Sequence, residues 1–217
     1  MMYSGIPSLS IPMVRVITVT GSGVVETMPN YVQLQVEVKT EGEAVQQTQG
    51  ENAEIMNRVI ESLLALNIPR QNIQTAAFNI FPQYDFIEGK QLFRGYEVTN
   101  ALTVKIDDAQ KAGIVIDTAV ASGANSVSSI QFGIDNPELA YLKALQRALQ
   151  NAQTKVQTIA QTMKVTLYTQ PISIVEEQQQ NGPERYKTLT MASTQVGTPI
   201  ELGEISVSAT VTVKYQY

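Results

Sequence analysis

The chain has 217 residues, a size that suits one large domain or two small ones. Hydrophobic residues make up 43% of it and charged residues 16%, which is enough apolar side chain to form a buried core. The sequence contains no His, no Cys and no Trp, which excludes disulfides, thiolate nucleophiles, imidazole bases and zinc sites of the usual Cys/His kind. The net charge of −5 argues against a nucleic-acid-binding surface.

Residues 1–13 are predicted to form a flexible tail rather than a secretory signal. They lack a basic segment, and Pro7 and Pro12 interrupt their apolar residues. Nowhere does the sequence reach the roughly 18 apolar residues in a row that a membrane-spanning helix needs. For a chain that starts at its native methionine, these features predict a cytoplasmic location.

Hydrophobic periodicity predicts strands and helices along most of the chain. Residues 31–39 and 205–215 alternate apolar and polar side chains, as a strand with one solvated face does. Between these stretches the period changes repeatedly to that of a helix, with apolar residues about one turn apart. In chain order, the predicted elements are strands 14–20 and 31–39, helix 41–67, strands 73–84 and 96–106, a helix from Asp107 to Ser122-Gly123, strand 126–134, a helix from Pro137 to Met163, and strands 166–176 and 205–215.

Turn and capping residues predict how these elements connect. The Gly-Ser-Gly segment at 21–23 predicts a turn, so we expect the first two strands to pair as a long hairpin around residues 24–30. Residues 85–95 contain two glycines and are expected to form a hairpin loop. Asp107 is the expected N-cap of the second helix, and Gly123 suits its C-terminal cap.

The longest predicted helix has the clearest start signals and an apolar stripe. Asn136 is the expected N-cap, Pro137 suits the first helical position, and Glu138 suits the first turn. The stripe could form a coiled-coil seam, but few charged residues flank it, so we expect it to pack on a sheet. The stripe consists of Leu142, Leu145, Leu149, Ala152, Val156, Ile159 and Met163, and Ala140, Ala144, Ala148 and Ala160 widen it.

These elements predict an α+β fold. Their order from residue 31 to 134 is β-α-β-β-α-β, the split βαβ or ferredoxin-like pattern, and a long additional helix and two C-terminal strands follow it. Helices are expected on one face of a mostly antiparallel sheet. We expect one domain over residues 14–217, which could comprise two lobes, about 24–135 and 136–217 with the first strand.

Ordered segments of the sequence resemble the SIMPL-domain family, which was long described as a domain of unknown function. No single segment is specific, but together they extend in order from Ile17 to Tyr217. The resemblance implies no agreed enzymatic activity, no cofactor and no catalytic residues. It also implies proteins of the periplasm or cell surface, some of them antigens, with a loose association to stress responses. The matching segments are residues 17–44, 68–84, 96–106 and 122–136, the Ala-rich helix from Leu139, and the closing strand that begins Leu202-Gly203-Glu204-Ile205-Ser206-Val207.

Several polar residues are weak candidates for chemistry. Asp107 and Asp108 could form half of a metal or acid–base site, but a helix cap explains them. Lys105 and Lys143 could act as bases only if their pKa values were depressed, and a Ser–Lys nucleophile has no support. The segment Gly123-Ala124-Asn125 is expected to form the helix exit. An acidic run could form a weak calcium site but fits a solvated surface better: Glu37, Glu41, Glu43, Glu51, Glu54 and Glu61.

The composition therefore favours a non-enzymatic protein that binds a partner or assembles with itself. The alternative is a carboxylate-based hydrolase or a metal-dependent enzyme, which would need carboxylates converging in an enclosed pocket. We expect no cofactor, no metal and no nucleic acid, and a homo-oligomer or a protein partner. Residues 177–199 show no periodicity, so they form either a disordered linker or an arm that contacts a partner. The expected contact residues of such an arm are Tyr186, Leu189 and Met191.

Overall fold

A computed structural model describes residues 15–177, 187–188 and 197–217 of the chain. The predicted tail at 1–13 and most of the segment at 177–199 lie outside these residues. In chain order, the elements are β1 (Val16–Thr27), β2 (Tyr31–Gly42), α1 (Val45–Ala65), β3 (Ile73–Ile87), β4 (Lys90–Ile106), α2 (Ala112–Ala121), β5 (Ser126–Gly133), α3 (Pro137–Met163), β6 (Pro171–Glu177), β7 (Lys187–Thr188) and β8 (Gly203–Gln216).

The elements form two compact units, and the second unit interrupts the first in sequence. The first contains Met1–Glu26, Asn136–Glu184 and Ser206–Tyr217, and the second contains Thr27–Asp135 and Arg185–Ile205. Each unit packs helix against antiparallel sheet, so the predicted α+β class is confirmed.

The second unit has the predicted β-α-β-β-α-β order. Its sheet runs β3-β4-β2-β5, and β4 and β5 both pair antiparallel with β2. Alternate side chains of β2 pack against α1 and α2, whereas Gln33, Gln35 and Glu37 lie on the opposite face. The predicted solvated face of this strand is therefore confirmed. The fully buried β2 residues are Val32, Leu34, Val36 and Val38.

The caps of α2 and α3 largely follow the sequence signals. The side chain of Asn136 accepts a hydrogen bond from the backbone of Leu139 at 3.2 Å, as predicted for the N-cap of α3. At α2 the prediction was wrong by one residue, because Asp108, not Asp107, accepts from the backbone of Gln110 at 3.1 Å. A short 3-10 turn that precedes α2 causes this shift. Gly123 takes a positive φ of 114° after α2, which suits glycine.

The first unit packs α3 on a sheet ordered β1-β8-β6. Strand β8 buries every second side chain over its whole length, as its alternation predicted. Contacts from Arg15 to Tyr217 and from Thr20 to Thr212 show that β1 and β8 run antiparallel. Strands β6 and β8 are also antiparallel, with Ile174 opposite Val213.

The expected hairpin of the first two strands is wrong. Strand β1 continues straight through the Gly-Ser-Gly segment and pairs with β8, whereas β2 belongs to the other sheet. The glycines are needed for close packing instead. A Cβ atom on Gly21 would lie 2.1 Å from the carbonyl oxygen of Ala148, and one on Gly23 would lie 2.1 Å from that of Ala144. Strand and helix backbones therefore touch where a side chain would separate them.

The predicted packing face of α3 is confirmed only in part, because most large residues of its apolar stripe are exposed. The helix packs on the sheet through small residues four apart, because only these allow the close approach to β1. The buried face consists of Ala152, Val156 and the four alanines that widen the predicted stripe, whereas Leu142, Leu149 and Met163 are exposed. The buried residues of α3 are Ala140, Ala144, Ala148, Ala152, Val156 and Ala160.

Candidate functional site

Strands β3 and β4 extend beyond the sheet of the second unit as a two-stranded ribbon. The pairing of β2 with β4 ends where Gly42 meets Tyr96, whereas β3 and β4 stay paired as far as Ile87 and Lys90. Residues 83–95, here called the ribbon, thus pair only with each other within the described sheet. The loop predicted at 85–95 is wrong, because the chain turns at two residues only.

The turn of the ribbon explains why its strands can be so long. Glu88 has a φ of 51° and Gly89 a φ of 78°. Two successive positive φ values define a type I′ turn, whose twist matches that of paired strands. The Glu-Gly pair therefore closes the hairpin without a loop.

The ribbon exposes large apolar side chains on both faces. Tyr84 lies opposite Phe93, and Asp85 lies opposite Leu92 on the other face. Phe86, next to the turn, is 76% exposed. An isolated two-stranded ribbon is only marginally stable in water, and an exposed apolar patch of this kind marks an interaction surface. The exposed apolar residues of the ribbon are Tyr84, Phe86, Ile87, Leu92 and Phe93.

The base of the ribbon is held by aromatic and backbone contacts. The ring of Phe93 meets the ring of Tyr84 edge-on at 5.8 Å and that of Tyr96 at 5.2 Å. Gly95 has a positive φ of 150°, and a Cβ there would lie 2.7 Å from the carbonyl oxygen of Gly42. These contacts fix the direction in which the ribbon leaves the sheet.

Buried Asn52 ties α1 to both central strands near this base. Its Nδ2 atom donates to the carbonyl oxygens of Val38 at 2.9 Å and Val98 at 3.1 Å. Its Oδ1 atom is buried and has no hydrogen-bond partner among the described residues. Since one amide group bridges two strands and a helix, it helps to fix the end of the sheet from which the ribbon extends.

The two long edge strands differ in how their outer edges are covered. Along β1, three α3 side chains spaced one turn apart bond the outward-facing backbone. The Lys155 ammonium donates to the carbonyl oxygen of Thr20 at 2.7 Å, and Asn151 Oδ1 accepts from the Ser22 N–H at 3.3 Å. Arg147 donates to the carbonyl oxygen of Val24. This edge is thereby protected from pairing with another strand.

The outer edge of β3 has no such cover among the residues that the structure describes. This strand is 15 residues long and pairs only with β4. It also exposes Phe78 and Phe81 ahead of the ribbon. A long apolar edge is a template for pairing with another chain. The ribbon and the β3 edge therefore form one continuous candidate interaction site.

Lys105 lies in a polar cluster that does not suit a catalytic base. Its Nζ atom lies 2.8 Å from Asp135 and 3.6 Å from Asp107, and 4.5 Å from the centre of the Tyr31 ring. The hydrogen bond to Asp135 and the nearby negative charges raise the pKa of Lys105 above its ordinary value. The amine therefore stays protonated at neutral pH, whereas a base needs a depressed pKa.

The carboxylates proposed for chemistry do not converge in an enclosed pocket. Asp107 meets Asp135 at Lys105, but both carboxylates are more than half exposed. Asp108 caps a helical turn, and Glu37 and Glu41 form ion pairs with Lys39 and Arg94. Within residues 15–177, 187–188 and 197–217 there is no group of three acidic side chains able to hold a metal ion. No helix in the described part of the chain is long and apolar enough to span a membrane.

Asn125 has a structural role that the sequence did not reveal. Its Oδ1 atom accepts from the backbone N–H of Lys39 at 2.9 Å, and its Nδ2 atom donates to the carbonyl oxygen of the same residue at 2.7 Å. The side chain thus pairs with β2 as a strand would. Asn125 therefore has this structural role in addition to its place in the predicted helix exit, and no ligand is needed to explain it.

The predicted contact residues Tyr186, Leu189 and Met191 lie outside the described residues, so the arm they would form stays a prediction. The ribbon was missed instead. Its signal was present in the sequence, where apolar residues continue at strand spacing on both sides of the Glu88-Gly89 pair.

The chain is similar to known proteins over most of its length. The model of the SIMPL family, described as a protein of unknown function (DUF541), matches residues 17–215. The chain is 27% identical to the 26 kDa periplasmic immunogenic protein of Brucella melitensis over 92% of this chain and 84% of that protein. It is 25% identical to the uncharacterized protein YggE of Escherichia coli, over 56% of this chain and 50% of that protein.

Proposed function

Since this chain belongs to the SIMPL family, whose description names no activity, we propose that it works by self-association rather than by catalysis. The contact surface is the ribbon together with the outer edge of β3, and the partner is a second copy of the chain. The observation that carries this proposal is the ribbon itself, which exposes five large apolar side chains beyond the sheet.

Charge favours a second copy as the occupant. The chain carries a net charge of −5, so two copies repel each other unless a less charged patch brings them together. The ribbon carries two acidic residues, Asp85 and Glu88, and two basic ones, Lys90 and Arg94, of which Arg94 is paired with Glu41 beside the ribbon. A patch with both signs is self-complementary when two copies meet about a twofold axis, as most homo-oligomers do.

The covered edge of β1 also favours the edge of β3 as the contact surface. Pairing at β1 would have to displace the bonds from Arg147 and Lys155, whereas pairing at β3 displaces none that involve the described residues. The enzyme alternative, a carboxylate-based hydrolase or metal-dependent enzyme, would need converging carboxylates. The acidic groups around Lys105 are exposed, so no observation favours that alternative.

Sedimentation velocity over a range of concentrations tests the proposal. We expect the parent protein to associate reversibly, and Phe86→Ser/Ile87→Ser to raise the concentration needed for half-association by about tenfold or more, since buried aromatic anchors dominate such contacts. The two side chains lie at the turn, away from the anchored base, so the melting temperature should not change.

The matched control is Ile114→Ser/Val120→Ser on α2, which removes two other exposed apolar side chains from the same unit. This variant should associate like the parent. A parent protein that stays monomeric, or equal dissociation in both double variants, would overturn the proposal.

We also propose that the protein is periplasmic. The name of the Brucella relatives supports this location, and the comparisons give the cytoplasmic expectation no support. Fractionation of the native host should recover the protein with periplasmic markers, and recovery with cytosolic markers would refute it.

A further inference from the structure

A cavity of about 320 Å³ lies in the first unit, beside the C-terminal half of α3. Its apolar lining comes from the helix, from the segment that follows it and from β8. Val156, Ala160 and Tyr215 in this lining are buried, and Leu167 is half-buried. The volume lies at the small end of the range for ligand pockets, so it suits a small organic molecule.

The polar part of the lining consists mainly of carboxamides. Gln153, Gln157 and Gln161 are spaced one turn apart, so they share one face of α3 along the cavity. Each carboxamide offers both donors and acceptors. Among the lining residues that the structure describes, Lys164 is the only charged one.

Lys164 occupies a backbone position that normally belongs to glycine. It has a φ of 55° directly after α3. The Val165 N–H donates to the Ala160 carbonyl at 3.0 Å, and the Lys164 N–H donates to that of Gln161 at 3.2 Å. These bonds define a Schellman cap, whose left-handed residue is usually glycine because a Cβ is unfavourable there.

The position is therefore strained, yet it carries a cation. No carboxylate among the described residues lies within ion-pair distance of Lys164. A strained residue that the fold alone would replace by glycine is an indication of function. The strain, the missing partner and the adjoining cavity are three separate observations at one place.

We propose that this cavity binds a small organic anion. Its apolar body lies against Val156, Leu167 and Tyr215, and its acidic group is held by Lys164 and the neighbouring carboxamides. The proposal does not depend on self-association, because every residue of the cavity belongs to the first unit whereas the ribbon belongs to the second.

Two fluorescent dyes that differ by one charged group test the proposal. Anilinonaphthalene sulfonate has an apolar body and an anionic group, and phenylnaphthylamine has the same body without the charge. We expect the sulfonate to bind at one saturable site with the higher affinity. Lys164→Gly and Lys164→Gln should each weaken its binding about tenfold, as the loss of one charge-assisted hydrogen bond does. Binding of the neutral dye should not change.

Two controls separate this site from general effects. Lys143→Gln removes an exposed charge from the other end of α3 and should leave sulfonate binding unchanged. The titrations are repeated in the Phe86→Ser/Ile87→Ser background, where the ribbon no longer offers these side chains to the dye. A sulfonate that binds the Lys164 variants as tightly as the parent, or that is weakened equally by Lys143→Gln, overturns the proposal.

The melting temperature of Lys164→Gly also shows whether the lysine stabilises the folded protein. Because glycine relieves the positive φ, this variant should melt about 2–4 °C higher than the parent while binding the anion more weakly. Lower stability of Lys164→Gly would mean that the lysine serves the fold, and would overturn the argument from strain.

Discussion

Gly21 and Gly23 are the residues at which α3 approaches β1 most closely. Each would place a Cβ against the helix backbone rather than against a flexible side chain, so the helix itself would have to move. The opposite partners on α3 are alanines, which keep the gap narrow from both sides. Small residues at matching positions of a strand and a helix thus set the distance between them.

Gly21→Ala is predicted to lower the free energy of unfolding by about 1–3 kcal/mol, as overpacking of a dense core does. Gly50→Ala is the matched control, because that glycine lies within α1 with no atom in the path of a Cβ. The control should raise stability by about 0.5–1 kcal/mol. Urea unfolding measures both changes. Equal stability of Gly21→Ala and the parent would show that α3 lies farther from β1.

At the scale of the element, α3 shows why periodicity alone did not identify the buried face. The helix has two candidate stripes that share Ala152 and Val156: one of mostly large residues at heptad spacing and one of mostly small residues four apart. Hydrophobicity favours the first, but the glycines of β1 admit only the second. Leu149 is therefore exposed, and Leu149→Ala belongs to the mild substitutions of a surface rather than to those of a core.

One carboxylate, that of Asp117, connects helix α2 to the segment that precedes β8. The Thr198 hydroxyl and backbone N–H both donate to Asp117, and these bonds lower the pKa of Asp117 below its ordinary value. Because the folded pKa is lower than that of the unfolded chain, about 3.9, the stabilisation is present above that pH. It is lost as the pH falls through the lowered folded value.

Asp117→Asn should therefore melt at a lower temperature than the parent at neutral pH, and the difference should close below about pH 3.9. Melting curves of both proteins across the acid range measure this. Thr198→Val is the control on the other partner. It removes the hydroxyl but keeps the backbone N–H, so it should show a smaller difference that also closes in acid. A difference that persists in acid would show that the contact acts through packing instead of charge.

At the scale of the whole molecule, local sequence patterns predicted the elements, whereas contacts between residues far apart in the chain determine how the strands pair. The strand alternation of β2 and β8 and the cap at Asn136 depend on neighbouring residues, so the sequence was sufficient for them. The partner of β1 lies at the far end of the chain, and no local pattern specifies it. The ribbon was misjudged for a related reason, since its charges and two glycines resemble a loop when the opposite strand is not considered.

The division of the chain also has a consequence for the order of events during synthesis. Strand β1 emerges first, but its partners α3 and β8 emerge only after the whole β2–β5 sheet has been made. Val19 and Val25 therefore stay exposed to solvent while the sheet of the second unit forms from a contiguous stretch of the chain. In pulsed hydrogen exchange during refolding, amides of β2 and β4 should gain protection before those of β1. Simultaneous protection would mean that the two sheets form in one step; a delay would make β1 the segment that most needs shielding in the newly made chain.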